Sequence, residues 1–104
     1  MPRFDVWTNP SRRTARDIPY LLSVQHEVLD DLATVVVIPC FRAAAVPRPF
    51  TKLTPTIEVA GERVVVMTPE LSGAPRSALG EKVGSATAES AAILGALDFL
   101  LSGG

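Results

Sequence analysis

Residues 56–68 read TIEVAGERVVVMT, and this stretch decides the fold. Two runs rich in β-branched residues, 56–59 and 63–68, flank the turn Ala60-Gly61-Glu62. β-Branched side chains favour extended backbone, and glycine readily adopts the positive φ that a tight turn requires. The stretch therefore predicts a β-hairpin, and with it an antiparallel sheet.

Further strands are predicted on the N-terminal side of this hairpin. Residues 3–8 and 20–25 alternate in polarity, as half-buried strands do, and we expect them to be neighbours. The loop 9–17 that joins them contains Pro10 and several arginines. The β-branched run 34–39 predicts a strand buried on both faces. Three prolines exclude a long central strand over 43–55.

The pattern becomes helical towards the C-terminus. Residues 69–75 are predicted to be a loop, 77–79 a further short strand, and Gly80 and Gly84 the limits of a turn. Thr87 is the predicted N-cap of a helix over 87–101, and Ser102 and the glycines after it are expected to fray. The apolar residues repeat at helical spacing and are Ile93, Leu94, Leu97, Leu100 and Leu101. The sequence thus predicts an α+β fold with about five antiparallel strands and one C-terminal helix.

Composition limits the classes of function. The chain has 104 residues, which predicts a single domain over 1–104. Ten Lys and Arg against eleven Asp and Glu give a net charge of -1 without a basic stripe, which disfavours direct nucleic-acid binding. The single Cys fits a reducing compartment. No signal peptide and no bilayer-spanning stretch is visible, so we expect a cytoplasmic protein without a membrane partner.

The residue types offer little catalytic chemistry. His26 and Cys40 lie on different predicted elements, and no third group is placed to orient them as a nucleophile and base. One His and one Cys cannot complete a tetrahedral metal site without several carboxylates, and 80–84 lacks the spacing of a phosphate loop. We therefore predict a binding protein that is not an enzyme and uses no metal or cofactor.

One enzymatic alternative remains open. Arg12, Arg13 and Arg16 lie close together in the loop 9–17, beside Asp17. Arginines neutralise phosphate, and Asp17 or His26 could move the proton in RNA cleavage. The simpler interpretation is a solvated loop, because like charges this close normally face water.

An apolar pair marks a second loop. Val28 and Leu29 lie within the polar and acidic stretch 25–31, where folding gives no reason to place them. Such a pair belongs either to the core or to a contact surface.

The order and spacing of residues over nearly the whole chain resemble the CcdB toxins. The matching residues are Val24-Gln25, Glu27-Val28-Leu29-Asp30, Val37-Ile38-Pro39, Leu53-Thr54-Pro55, Ile57, Gly61-Glu62, Met67-Thr68, Pro75, Gly80-Glu81 and Val83. The resemblance implies a barrel-like, SH3-like sheet of the CcdB/MazF type, a C-terminal helix and a homodimer. It also implies the toxin of a type II toxin–antitoxin system rather than an enzyme.

The partners follow from the same resemblance. CcdB toxins wedge into the dimer of the DNA gyrase A subunit and trap the enzyme on cleaved DNA. A partly disordered CcdA antitoxin removes the toxin and, together with it, represses the operon. The resemblance therefore implies gyrase and a CcdA-like antitoxin as partners, with operator DNA contacted only through the antitoxin.

The resemblance also implies site residues. Its gyrase-binding surface falls on Val28, Leu29, Asp98, Leu101, Ser102, Gly103 and Gly104. The best-known toxin ends in an aromatic residue, tryptophan, glycine and isoleucine. This chain has Leu101-Ser102-Gly103-Gly104 at the same positions, so only the glycine at 103 is retained. Buried aromatics supply much interface energy, and a serine in place of tryptophan would cost several kcal/mol.

Antitoxin binding is expected at Arg12, Arg13 and Arg16, because antitoxin tails are usually acidic. Two alternatives stay open beside the gyrase-binding toxin. One is a MazF-like endoribonuclease on the same fold. The other is a degenerate, non-toxic regulator that still binds antitoxin, which the changed C-terminus suggests.

Overall fold

A curled antiparallel sheet and one C-terminal helix form the fold in the computed structural model, which describes residues 2–103. The seven strands are β1 Asp5–Thr8, β2 Tyr20–Ser23, β3 Thr34–Arg42, β4 Thr56–Val59, β5 Glu62–Val66, β6 Ser72–Pro75 and β7 Lys82–Ser85. The helix α1 spans Ser90–Ser102. This confirms the predicted α+β class, with two more strands than expected.

Strand β3 is the centre of the sheet, whose order is β4-β5-β3-β2-β1-β7 with β6 added beside β3. The first half of β3 pairs with β6, and its second half pairs with β5. Pro39 lies between these two ladders, so its missing N–H interrupts neither of them. This explains why β3 continues to Arg42, although the sequence predicted its end at Pro39. The edge strands β4 and β7 contact each other, which curls the sheet towards a half-barrel.

The predicted hairpin is confirmed, but its turn is shorter. Ala60 and Gly61 form the two-residue turn with φ of 51° and 80°, the conformation that matches the twist of paired strands. Glu62, which the sequence assigned to the turn, already pairs with Val59 as the first residue of β5. The sequence also predicted strand structure at Met67 and Thr68, but β5 ends at Val66 and a 3-10 turn begins at Thr68.

Three predictions between the hairpin and the helix were wrong. Residues 72–75 form β6 rather than a loop, 76–78 form a 3-10 turn rather than a strand, and 82–85 form β7 rather than a turn. Both missed strands are short, mostly exposed and contain a glycine. Their own side chains do not specify extended structure; pairing with β3 and β1 does.

The N-terminal strands are neighbours, as predicted, although each is shorter than expected. β1 begins at Asp5 because Phe4 has a positive φ of 69°, and β2 ends at Ser23. Val6 opposes Leu22 across the pair, and both are buried in the core.

The helix differs from its prediction at both ends. A 3-10 turn covers Thr87–Glu89, and Glu89 rather than Thr87 occupies the N-cap of α1, without a side-chain cap. Ser102 is the last helical residue rather than part of a frayed end. Gly103 is the C-cap in the left-handed conformation, φ 78°, and its N–H donates to the carbonyl of Phe99 at 2.9 Å. Gly104 lies outside the described residues.

The core lies between the curled sheet and α1. Ile93 and Ala96 are the buried residues of the helix, while Leu94 and Leu101 are exposed. Each fully buried aliphatic side chain contributes roughly 1.5–3 kcal/mol. Across residues 2–103, no helix is both long and apolar enough to cross a membrane. The helix is thus attached to the sheet by one face and displays apolar side chains on another.

Candidate protein-binding surfaces

The Val28 turn, defined as the 3-10 turn Glu27–Leu29, projects from the sheet between β2 and β3. Val28 is 75% exposed and Leu29 45% exposed, and Leu32 nearby is 48% exposed. The pair is therefore not part of the core, so the first of the two interpretations made from the sequence is wrong. Exposed apolar side chains that cluster in this way are typical of a contact surface.

Gln25 holds the Val28 turn from its N-terminal side. Its Nε2 donates to the carbonyls of Leu29 at 3.3 Å and Thr34 at 3.2 Å, and its Oε1 accepts from the N–H of Val36 at 3.2 Å. His26 caps the turn, since its Nδ1 accepts from the N–H of Val28 at 3.0 Å. These bonds fix the backbone on which the apolar pair is carried.

Arg76 holds the other side of the same loop from the turn that follows β6. Its Nε donates to the carbonyl of Leu32 at 3.0 Å, and its Nη2 to that of Asp30 at 2.9 Å. Neither Gln25 nor Arg76 was among the site residues predicted from the sequence. No sequence signal marks Arg76, because it is 44 residues from Leu32 along the chain. The apolar pair is therefore presented on a braced, preorganised loop.

The C-terminal part of α1 carries the other predicted site residues. Leu101 is 79% exposed, and Asp98, Ser102 and Gly103 are also exposed. The Ser102 hydroxyl donates back to the carbonyl of Asp98 at 2.7 Å and lies 3.2 Å from its Oδ1. The helix is thus regular up to its glycine cap, and the Leu101 side chain stays largely exposed to solvent in a single chain.

A groove runs beside the helix end, and the sequence did not predict it. The rings of Phe50 and Phe99 lie 5.5 Å apart at an angle of 52°, and Phe50 is 55% exposed. A space of about 490 Å³ adjoins them, lined by Thr51, Lys52, Ala92, Gly95, Phe99 and Gly103. The only sequence signal was an aromatic residue directly after Pro49, in a segment without strand character.

The predicted gyrase-binding surface has two halves, the Val28 turn and the end of α1, and no hydrogen bond or ion pair connects them within one chain among the described residues. The Val28 turn is bonded to β3 and to the turn after β6, whereas the helix end contacts Phe50. Within residues 2–103, no hydrogen bond, ion pair or ring contact links residues 27–29 to α1. A single chain therefore presents two patches that are attached to different segments.

The arginine loop, residues 9–19 between β1 and β2, forms a third surface. Arg12, Arg13 and Arg16 are exposed, as expected of a solvated or anion-binding loop. The loop is nevertheless folded: the N–H of Ala15 donates to the carbonyl of Ser11 at 2.9 Å. Asn9 organises it further, since its Nδ2 donates at 2.9 Å both to the hydroxyl of Thr14 and to the carbonyl of Ile18. The three guanidinium groups are thus displayed from an ordered backbone.

The geometry separates His26 from the arginines considered for RNA cleavage. The arginine loop precedes β2 and His26 follows it, so Asp17 and His26 lie near opposite ends of that strand. Strand β2 spans about 10 Å between its first and last Cα atoms at ~3.3 Å per residue, and His26 lies three residues beyond its end. His26 is therefore attached at the other end of the strand from the three arginines, and its Nδ1 is already bonded to the Val28 N–H.

Cys40 is packed inside the sheet and does not form a dyad with His26. Its thiol is buried, and burial raises its pKa to about 12, which keeps it protonated and unreactive. The described part of the chain contains no group of His, Cys, Asp and Glu arranged to hold a metal ion.

Comparison with known proteins adds one finding. A family model described as CcdB protein matches residues 3–103. No curated protein matches the chain. The matched range includes the Val28 turn, the arginine loop and the helix end up to Gly103.

Proposed function

The chain belongs to the CcdB family, the toxins of toxin–antitoxin systems, and on this premise we propose that it arrests growth by binding the A subunit of DNA gyrase. The proposed contact residues are Val28, Leu29, Asp98, Leu101, Ser102, Gly103 and Gly104. A CcdA-like antitoxin neutralises the toxin, and the toxin reaches operator DNA only through that antitoxin. It acts in the cytoplasm by binding rather than by catalysis.

The display of Val28 and Leu29 is the single observation that supports this proposal most. The side chains of Gln25, His26 and Arg76 take part in five hydrogen bonds that hold the backbone of the loop that exposes them. A braced loop loses little conformational entropy on binding, which favours affinity. Burial of a wholly exposed aliphatic side chain contributes roughly 1.5–3 kcal/mol, and Val28 and Leu29, which are 75% and 45% exposed, would each contribute about that fraction of it.

The helix end provides the second contact in this proposal, and a homodimer brings the contacts together. Leu94 and Leu101 are exposed on α1 in the single chain, although apolar helix residues normally pack against another surface. In a twofold dimer the same patches occur twice, so one partner can contact the Val28 turn and the helix end at once. The gyrase A subunit, itself a dimer, suits such a symmetric ligand.

The antitoxin contact is placed at the arginine loop because of its charge. Arg12, Arg13 and Arg16 are exposed, and their guanidinium groups have no hydrogen-bond or ion-pair partner among the described residues. An acidic, disordered antitoxin segment supplies the missing carboxylates and becomes ordered as it binds. Because this loop and the Val28 turn lie near opposite ends of β2, the two partners have separate primary sites.

One observation favours a second function, that of a non-toxic regulator that binds antitoxin. Ser102 ends the helix where the best-known family member carries tryptophan, and it turns its hydroxyl back onto Asp98. An interface without that aromatic anchor is weaker. The endoribonuclease alternative loses one of its two candidate proton carriers, because His26 lies beyond the other end of β2 from the arginines, whereas Asp17 stays beside them.

A charge substitution in the Val28 turn tests the proposed target surface. We expect Val28→Glu combined with Leu29→Glu to abolish growth arrest and binding to purified gyrase A subunit, because each carboxylate would be desolvated in an apolar contact. Folding should be retained, since both side chains are exposed. Binding is measured by titration calorimetry, and circular dichroism verifies the fold.

The matched control is Val83→Glu, which places the same charge on another exposed valine, in β7. It should arrest growth like the unaltered protein. Full toxicity of the folded Val28 and Leu29 double variant would remove this surface from the proposal. If the unaltered protein neither arrests growth nor binds gyrase A but does bind the product of the adjacent upstream reading frame, the regulator alternative replaces the toxin.

A further inference from the structure

We propose that Arg42 is a positioning residue for the antitoxin site: it docks the arginine loop onto the sheet and thereby presets the guanidinium groups that the antitoxin binds. This inference rests on the proposed antitoxin contact at Arg12, Arg13 and Arg16. It assigns a role to a residue outside that loop and does not make Arg42 itself a contact.

Arg42 is the last residue of β3 and contacts the end of the arginine loop in two ways. Its backbone N–H donates to the carbonyl of Asp17 at 2.8 Å. Its side-chain Nε donates to the carbonyl of Arg16 at 2.7 Å. Two consecutive carbonyls of the loop are therefore fixed by one residue that is 26 positions away from Arg16 in the sequence.

Glu62 completes the arrangement from the start of β5. The Nη1 of Arg42 pairs with Oε2 of Glu62, so the guanidinium joins the arginine loop to the β4–β5 hairpin. The planar guanidinium is suited to this role, because its Nε and Nη donors point to two partners at fixed angles. A lysine carries its three N–H donors on one nitrogen at the end of a flexible stem, so it cannot place separate donors at the positions of Nε and Nη1.

Charge explains why the loop needs such a contact. Three positive side chains lie within residues 12–16, and a mobile loop would separate them or let them point apart. Arg42 adds a further positive charge at the base of the loop, and the carboxylate of Glu62 offsets it. The loop backbone is thereby held without placing an anion among the three exposed arginines, which leaves them available to an acidic partner.

The contact contributes little to the stability of the whole fold. The Arg42 side chain is 45% exposed and that of Glu62 33% exposed. Ion pairs this exposed typically contribute about 0–1 kcal/mol. Substitution of Arg42 should therefore leave the sheet and the Val28 turn intact while it loosens the arginine loop, which makes a specific test feasible.

The test compares Arg42→Lys with Arg63→Lys. Both substitutions keep the charge, but Arg63 is an exposed residue of β5 paired with Glu58 and does not touch the loop. The probe is the purified antitoxin encoded by the adjacent upstream reading frame. We expect Arg42→Lys to weaken antitoxin affinity by about tenfold, because the loop must be ordered on binding, and Arg63→Lys to have no effect. Binding to gyrase A should be unchanged in both.

Two further measurements separate positioning from direct contact. In Arg42→Lys, amide hydrogen exchange of residues 14–18 should become faster, since those amides report on opening of the loop. In Arg42→Gln, which removes the charge, the dependence of affinity on salt should keep the slope of the unaltered protein, because Arg42 makes no ionic contact with the antitoxin, whereas Arg12→Gln should lower that slope. A lowered slope in Arg42→Gln would identify Arg42 as a direct contact and overturn the inference.

The combined variant Arg12→Gln, Arg13→Gln and Arg16→Gln distinguishes the two levels of the proposal. If it binds the antitoxin as tightly as the unaltered protein, the antitoxin site has been misplaced and the proposed function fails at that point. If it loses binding while Arg42→Lys retains full affinity and slow exchange, the antitoxin site stands and only the positioning role of Arg42 is refuted.

Discussion

Gln25→Glu is the sharpest test of whether the braced loop, and not merely its apolar side chains, determines target binding. The substitution keeps the shape of the side chain and the acceptor that receives the N–H of Val36. It replaces the Nε2 donor with an oxygen that faces the carbonyls of Leu29 and Thr34. Two hydrogen bonds are lost, and an acceptor then meets two acceptors.

The expected magnitude follows from those two bonds. A neutral hydrogen bond contributes about 0.5–1.5 kcal/mol net, so the loop loses about 1–3 kcal/mol of ordering free energy. If that ordering must be restored on binding, affinity for the gyrase A subunit falls by about 5- to 150-fold, at about 1.4 kcal/mol per tenfold change. The free energy of global unfolding should change less, because a surface loop opens without unfolding the sheet.

The assay is titration of purified gyrase A subunit, together with hydrogen exchange at the Leu29 amide, which donates to the carbonyl of His26 at 3.0 Å. Ala33→Glu is the control, since it adds the same charge to an exposed position of the same loop without touching Gln25. Faster exchange with unchanged affinity in Gln25→Glu would refute the reasoning, because it would show that preorganisation of the loop is irrelevant to the target.

Two further outcomes concern the oligomer and the core. Leu94→Asp should shift the protein from dimer to monomer in light scattering at micromolar concentration. Leu94 is 40% exposed on a single chain and is proposed to be covered in the dimer. If the unaltered protein is itself monomeric, the proposed dimer is wrong. Burial raises the pKa of Cys40 from 9.0 to about 12, so the unfolded state releases that proton first and stability should fall as pH rises above about 9. Urea unfolding between pH 8 and pH 11 measures this loss, and Cys40→Ala should reduce it; an equal alkaline loss in both proteins would assign it to other groups.

The strands that the sequence predicted are those that carry their own pattern. The hairpin of β4 and β5 has two β-branched runs and a turn glycine, and β3 has a continuous apolar run. Such segments favour extended backbone wherever they occur. Strands β6 and β7, with the sequences SGAP and KVGS, have no such preference, and only their pairing with β3 and β1 makes them strands.

The candidate surfaces divide in the same way. The exposure of Val28 and Leu29 could be inferred, because an apolar pair among polar and acidic neighbours has few folding explanations. The groove of Phe50 and Phe99 could not, since the two rings are far apart in the sequence and meet only because α1 returns along residues 50–52. The resemblance to the CcdB family, which the family model confirms, supplied what spacing alone could not.

By itself, the sequence determined the fold class, the β4–β5 hairpin, the C-terminal helix and the charge and polarity of each exposed loop. These properties depend on side chains that are neighbours or lie one turn apart, so local preferences and periodicity encode them. Only the tertiary structure decided which residues hold the loops in place. Arg76 reaches a loop 44 residues away and Arg42 one 26 residues away, and such contacts exist only once the sheet has brought distant segments together.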